Sequence, residues 1–223
     1  MKKVLLAMLV MVSSIAWAQD VPSKPEAEGQ QSKEMGALRM AGNLIRYGYS
    51  EQQAMPLLDA LYILSSVQTQ ESNEKKQRDN GEKPTPKDNK VSFDVHQIIA
   101  DAKTFADGDE NILALIATVE QDLKPHRGAV GGPKRHVDYV NGHSYDTYSC
   151  SFVKGRLAEV GLSGDGDTDL DLYVYDSNGN LIASDTDYSD DCYVRWVPKW
   201  TGRYTIKIVN RGPVYNQYII LTN

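Results

Sequence analysis

The chain has 223 residues, 41% hydrophobic and 24% charged, with a formal net charge of −6 at pH 7. Those figures exclude a collagen-like or wholly disordered chain and fit an ordinary soluble protein of one or two domains. The acidic balance argues against nucleic acid as a partner, because phosphate binding needs a basic surface.

Residues 1–18 read as a secretory signal peptide. Lys2 and Lys3 form the positive start, Val4 to Val12 the apolar stretch, and Ala16 and Ala18 the small residues that a signal peptidase needs. The stretch is shorter than the roughly 20 residues of a membrane span. No later segment is long and apolar enough to span, so no membrane span is expected after cleavage. Cutting after Ala18 removes two lysines and no acid, which carries the net charge to −8. The expected location is periplasmic or secreted; the same signal serves both.

Residues 19–32 are a polar, flexible lead-in. Residues 33–123 read as a helical region. Met35, Leu38, Ala41 and Ile45 recur at three- and four-residue steps. Gly48 is a candidate helix stop and Ser50 a candidate N-cap. Ala54, Leu57, Leu58, Leu61 and Leu64 mark a second helix, with Pro56 in its early part. Residues 71–90 are a polar linker, with charges of both signs, Pro84, Pro86 and Gly81 and no large apolar residue. Val95, Ile98, Ile99, Ala102 and Phe105 mark a third helix. Asp109 is placed to cap a fourth, which carries Ile112, Leu113, Ile116, Val119 and Leu123. Four amphipathic helices over this length form a small bundle.

Residues 124–131 are a glycine-containing connector. Beyond it, over 132–223, the period changes to two. Leu170, Leu172 and Val174 alternate with Asp171, Tyr173 and Tyr175, so the tyrosines are expected on the outer face. Asn178-Gly179 suits a type I′ hairpin. Tyr193 to Val197, Arg203 to Val209 and Tyr218 to Leu221 are further strands. The expected fold class is α+β in two segregated parts, an N-terminal helical bundle followed by a C-terminal antiparallel β-sandwich.

The run Gly164-Asp165-Gly166-Asp167-Thr168-Asp169-Leu170-Asp171-Leu172-Tyr173-Val174-Tyr175-Asp176 resembles the bacterial pre-peptidase C-terminal domain. The likeness continues through Asn178-Gly179, Trp196-Val197-Pro198, Thr201-Gly202-Arg203-Tyr204-Thr205-Ile206 and Tyr218. It covers residues 132–223. The resemblance implies a jelly-roll-like sandwich of the kind that accompanies secreted hydrolases without being catalytic, and related collagen-binding modules hold calcium. No protease domain precedes the module in this chain. The helical half resembles no family.

Between Leu157 and Val194 there is no Lys or Arg, while Glu159 and nine aspartates occur. Asp165, Asp167, Asp169 and Asp171 sit at two-residue steps, which in a strand puts their carboxylates on one face. Calcium, with six to eight oxygen ligands and tolerant geometry, suits such a set. Asp185, Asp187, Asp190 and Asp191 are placed to contribute from a neighbouring loop. The other reading is a solvated acidic edge that keeps strands of other chains away. A catalytic carboxylate pair needs one acid in an apolar pocket, which a crowded hydrophilic run does not suggest.

Tyr173 and Tyr175, with Trp200, are candidate ligand-binding residues, since aromatic faces stack on sugars or grip peptides. The alternative is that they cover the outer sheet. Cys150 and Cys192 are the only two cysteines, and in an exported protein a pair reads as a disulfide. Closing that loop is worth about 4 kcal/mol. His96, His126, His136 and His143 form no zinc pattern.

The leading expectation is a secreted, non-catalytic protein whose sandwich binds a ligand or partner, an extracellular polymer or protein, with calcium stabilising the Asp165–Asp171 region. A secreted hydrolase with a site near the helices is the alternative, and a structural or surface-assembly protein the second. Oligomeric state and ligand are not legible.

Overall fold

The structure is a computed structural model that describes residues 31–67, 70–71, 76–79, 90–123 and 134–223. The expected leader, most of the lead-in and of the polar linker, and the connector with His126 lie outside the described residues.

Four helices come first: α1 (Lys33–Ser50), α2 (Ala54–Ser66), α3 (Val95–Phe105) and α4 (Glu110–Asp122). Their starts follow capping chemistry. The Ser32 side chain accepts from Met35 N, Asp94 from Gln97 N, and Asp109 from Asn111 N and Ile112 N. α2 has no side-chain cap and begins at Ala54, so Ser50 is not its N-cap. Pro56 is tolerated because the first turn's N–H groups have no helical acceptor. Gly48 does not stop α1, which runs on to Ser50. A Cβ on Gly48 would lie 2.6 Å from Leu57 Cδ2. The glycine therefore serves close α1–α2 packing, a role that sequence alone does not separate from a helix stop.

Two short strands, β1 (Gln70–Glu71) and β2 (Lys76–Arg78), precede α3. After α4 come eight more: β3 (Lys134–Val140), β4 (Tyr145–Phe152), β5 (Ala158–Gly164), β6 (Leu170–Tyr175), β7 (Leu181–Asp185), β8 (Asp191–Trp196), β9 (Gly202–Asn210) and β10 (Asn216–Thr222). They form two sheets, β1-β3-β10-β5-β8 and β2-β4-β9-β6-β7. Among β3–β10 only β6 and β7 are neighbours in both sequence and sheet; every other connection crosses between sheets. This is the jelly-roll arrangement, and the α+β class with helices before sandwich stands.

β6 and β7 are joined by a tight turn in which Gly179, at φ +80°, is the residue with positive φ. A type I′ turn needs two such residues. Instead Gly179 N donates to Asp176 O, the pattern of a type I turn closed by a left-handed glycine. The Asp176 carboxylate accepts from Asn178 N, Asn180 N and Asn180 Nδ2, which holds the turn.

The chain has two cores. One lies between the sheets and includes Leu162, Leu172, Val174, Ile206 and Tyr218. The other lies between the helices and the outer face of β10, where Ile219 and Leu221 pack among Met35, Leu38, Ile45, Leu57 and Ile98. The helices thus dock on the sandwich. Close approach is set by small residues: a Cβ on Gly161 of β5 would lie 2.9 Å from Met35 Sδ, and one on Gly42 of α1 would lie 2.1 Å from Ser163 Oγ. Tyr49 of α1 donates to Asp101 of α3, and Phe93 N to Gln217 of β10.

Candidate functional site

The helices cover one sheet, and among the described residues the outer face of the other is left open. On that open face the register sets rows across β6, β9 and β4: Asp171, Val209 and Tyr145; Tyr173, Lys207 and Thr147; Tyr175, Thr205 and Ser149. Their neighbours along each strand, such as Leu172, Val174, Ile206 and Ile208, are fully buried. Alternation therefore places Tyr173 and Tyr175 outward, as expected.

Tyr173 and Tyr175 stack, with ring centroids 6.3 Å apart and an interplanar angle of 21°. The Tyr173 hydroxyl donates to Asp171 and accepts from Arg211 Nη2, each at 3.0 Å. Arg211 Nε donates to Asp171 Oδ2 at 2.5 Å, a charge-assisted pair. Burial, followed by the Asp171 charge, pushes the Tyr173 phenol up to about 12, so it stays protonated. Lys207 lies over the Tyr145 ring, 4.0 Å from its centroid. The face therefore offers flat aromatic, hydroxyl and cationic groups on rigid strands. Trp200 is not part of it. Its ring stacks at 6.0 Å on Tyr204, whose side chain points into the core, so Trp200 closes one end of the sandwich.

The aspartates are distributed differently from the expected single row. Gly166, at φ +92°, breaks the extended chain, and only Asp171 of the four lies within a strand. Asp165 is buried and accepts from Gln217 N at 2.6 Å. Counter-charge arrives from outside the acidic stretch. Arg46 of α1 donates to Asp191, Ser163 and the Gly164 carbonyl. Asp169 Oδ1 is buried without a hydrogen-bond partner, and burial with the nearby Asp171 charge raises that carboxyl. Burial also raises Asp185, and raises Asp190 despite Arg46. Among the described residues, no group of three His, Cys, Asp or Glu side chains is placed to hold a metal ion.

Cys150 and Cys192 are both buried and are not joined by a disulfide, contrary to expectation. The topology explains this. Cys150 is on β4 and Cys192 on β8, which packs against β7. Cys192 lies against Leu170 of β6, whose β9 partner is Asn210, whereas Cys150 pairs with Tyr204, six positions away along β9, roughly 20 Å at about 3.3 Å per residue. A disulfide needs Cα atoms within about 7 Å. The Cys192 thiol instead donates to the Leu170 carbonyl at 3.1 Å.

One cluster escaped the sequence reading. Lys76 and Arg78 of β2 enter the margin of the sandwich between β3 and β4. Lys76 Nζ lies 2.6 Å from Asp138 and 3.0 Å from Asp146. Arg78 contacts the same two acids and lies 3.9 Å over the Tyr139 ring. Asp146, fully buried, also accepts from the Tyr218 hydroxyl, which shares a 2.5 Å hydrogen bond with Tyr148. Burial raises Asp146 despite both cations. Burial also pushes Asp138 up, but hydrogen bonds from His136, Lys76 and Tyr139 N outweigh it and leave that carboxyl lowered. The only sequence signal was a Lys-Gln-Arg triplet inside a stretch whose composition reads as linker.

Two cavities bear on a hydrolase site. One, of about 10 Å³, lies among Glu34, Leu38, Leu64, Val67, Arg135 and Leu221. The other is an open groove of about 460 Å³ along α1, lined by Arg39, Met40, Asn43, Leu44 and Tyr47 among others. Neither brings together two carboxylates or a histidine.

No family model and no curated protein matches the chain. Part of it is similar to solved structures. Aeromonas hydrophila PliG, a periplasmic lysozyme inhibitor of g-type lysozyme, aligns at 13% identity over 45% of this chain and 91% of its own, with a TM-score of 0.35. A carbohydrate-binding module of Cellvibrio mixtus lichenase 5A, in complex with cellotriose, aligns at 9% identity over 42% and 87%, with a TM-score of 0.28. The SPBc2 prophage-derived protein YomS aligns at 15% identity over 44% and 100%, with a TM-score of 0.25.

Proposed function

We propose that this chain is an exported, non-catalytic binding protein. Its pre-peptidase-C-terminal-like sandwich holds an extracellular polymer or protein on the open face of the sheet that contains β6, β9 and β4. The observation that carries the reading is the stacked Tyr173–Tyr175 pair, outward on a face that the helices leave uncovered. Arg211 orients Tyr173 and Lys207 adds a cation beside the pair, so the surface is organised before any partner arrives.

The test is co-sedimentation of the mature protein with insoluble cellulose, xylan, peptidoglycan and fibrillar collagen, beside Tyr173→Ala/Tyr175→Ala. Retention on one of these polymers, lost in the variant with an unchanged Tm, supports the reading. Retention that the variant keeps places binding elsewhere and overturns it.

Calcium belongs to this reading as a stabiliser of the aspartate loops. Its support is Asp169 Oδ1, a buried acceptor that a cation would satisfy. Melting in calcium and in EDTA, beside Asp169→Ala, decides. Saturation at about 100 times the dissociation constant adds roughly 2.7 kcal/mol. An unchanged Tm leaves the arginines as the counter-charge.

A further inference from the structure

The aspartate loops crowd one end of the sandwich. At the opposite end two loops meet, one between β4 and β5 and one between β8 and β9. They are tied together: Gly155 N donates to the Pro198 carbonyl at 2.9 Å and Lys154 N to Thr201 Oγ1 at 3.0 Å. The β4–β5 loop reads Val153-Lys154-Gly155-Arg156-Leu157 and the β8–β9 loop Val197-Pro198-Lys199-Trp200-Thr201. Neither contains an acid. Val153, Leu157 and Val197 are 48%, 37% and 52% exposed. They are three of the five exposed large apolar side chains of the sandwich, so the sandwich's apolar exposure is gathered here rather than scattered. Lys154, Arg156 and Lys199, in the same two loops, are all exposed. The nearby Asp176 carboxylate is occupied by its own hairpin.

From this arrangement we propose that this end of the sandwich docks on the surface of a membrane rich in anionic phospholipid. The chemistry is complementary at two depths. The three cations meet the headgroup phosphates, and the apolar loop tips enter the headgroup–acyl boundary, where Trp200 also suits the amphipathic zone. Shallow polymers offer no apolar layer for Val153, Leu157 and Val197, which favours lipid over an acidic glycan. The aspartate pole then points away from the negative surface. The docking is independent of the tyrosine face and leaves it exposed beside the membrane.

The test is sedimentation of the mature protein with vesicles of phosphatidylcholine, with and without phosphatidylglycerol. Binding is expected only with phosphatidylglycerol, and is expected to weaken with salt. Each cation near such a surface is worth about a fivefold change in binding. Lys154→Gln/Arg156→Gln/Lys199→Gln should therefore weaken it by about a hundredfold. Val153→Ser/Val197→Ser should weaken it at high salt as well as low. All five positions are exposed, so an unchanged Tm is the folding control for both variants. Equal binding to both vesicle types, no binding at low salt, or binding that survives the triple substitution overturns the proposal. So does capture by soluble polygalacturonate of equal strength, which would mark a simple polyanion site. Tyr173→Ala/Tyr175→Ala should bind vesicles as the unsubstituted protein does.

Discussion

The two sheets of the sandwich are built from strands of similar length but end in different environments. In β4 and β9 buried and partly exposed residues alternate, with Tyr148, Cys150, Ile206 and Ile208 inward and Thr147, Ser149, Thr205 and Lys207 outward. In β5 every residue is buried, and in β10 all but Gln217. The difference is the helical layer. Tyr218 and Ile220 face the inter-sheet core, while Ile219 and Leu221 face the helices. A strand with one wet face alternates; a strand covered on both faces runs continuously apolar. Tyr218-Ile219-Ile220-Leu221 already displays that continuous pattern in the sequence.

The sharpest way to break this comparison is to truncate one residue on each sheet. Ile219→Ala should destabilise by about 2–5 kcal/mol, because it opens a cavity beneath the helices. Thr205→Ala on the open face should stay within about 0.5 kcal/mol. Urea unfolding measures both, and equal losses would mean that the helices do not bury β10 in solution.

Arg46 joins the covered side to the aspartate loops, and Arg46→Leu should cost roughly 1–3 kcal/mol. It strands Asp191 and removes donors from Ser163 and the Gly164 carbonyl. Asp191→Asn in the same chain should recover part of the loss, because it removes the stranded charge. No recovery in the double variant would assign the effect to packing alone.

Asp138 and the raised carboxyls should also differ in pH response. Asp146, Asp169, Asp185 and Asp190 have raised carboxyls, so the folded protein takes up protons before the unfolded chain does. Their contribution makes stability rise as the pH falls from neutral toward about 4. Asp138 is depressed. Its contribution is complete above the unfolded value of about 3.9 and disappears as the pH falls further, toward its folded value. Unfolding free energies measured across this range should pass through a mildly acidic maximum. Asp138→Asn should flatten the acid limb and leave the neutral limb's slope. A stability that climbs steadily from pH 4 to 7 would contradict the raised carboxyls.

The smallest expected effect is reduction. Dithiothreitol should leave the Tm unchanged, since no disulfide joins Cys150 to Cys192. A loss near the roughly 4 kcal/mol of a closed loop of that length would show that a cross-link forms.

Local chemistry determined much of this protein from its sequence. Helix periodicity marks α3 and α4, and the cap Asp109 marks the start of α4, because both act within one or a few turns. Leu-x-Leu-x-Val alternation in β6 put Tyr173 and Tyr175 outward because the strand period is two. What needed partners far along the chain was not legible. Gly48 reads as a stop until Leu57 is packed against it. Cys150 and Cys192 read as a pair until the strand register separates them. The acidic stretch lacks a cation in sequence, yet Arg46, more than a hundred residues earlier, supplies one in space. Lys76 and Arg78 read as linker until Asp138 and Asp146 enclose them. Local propensity depends on neighbours a few residues away, whereas burial, charge pairing and cross-links depend on which strands the topology makes adjacent. Only the tertiary structure decides that.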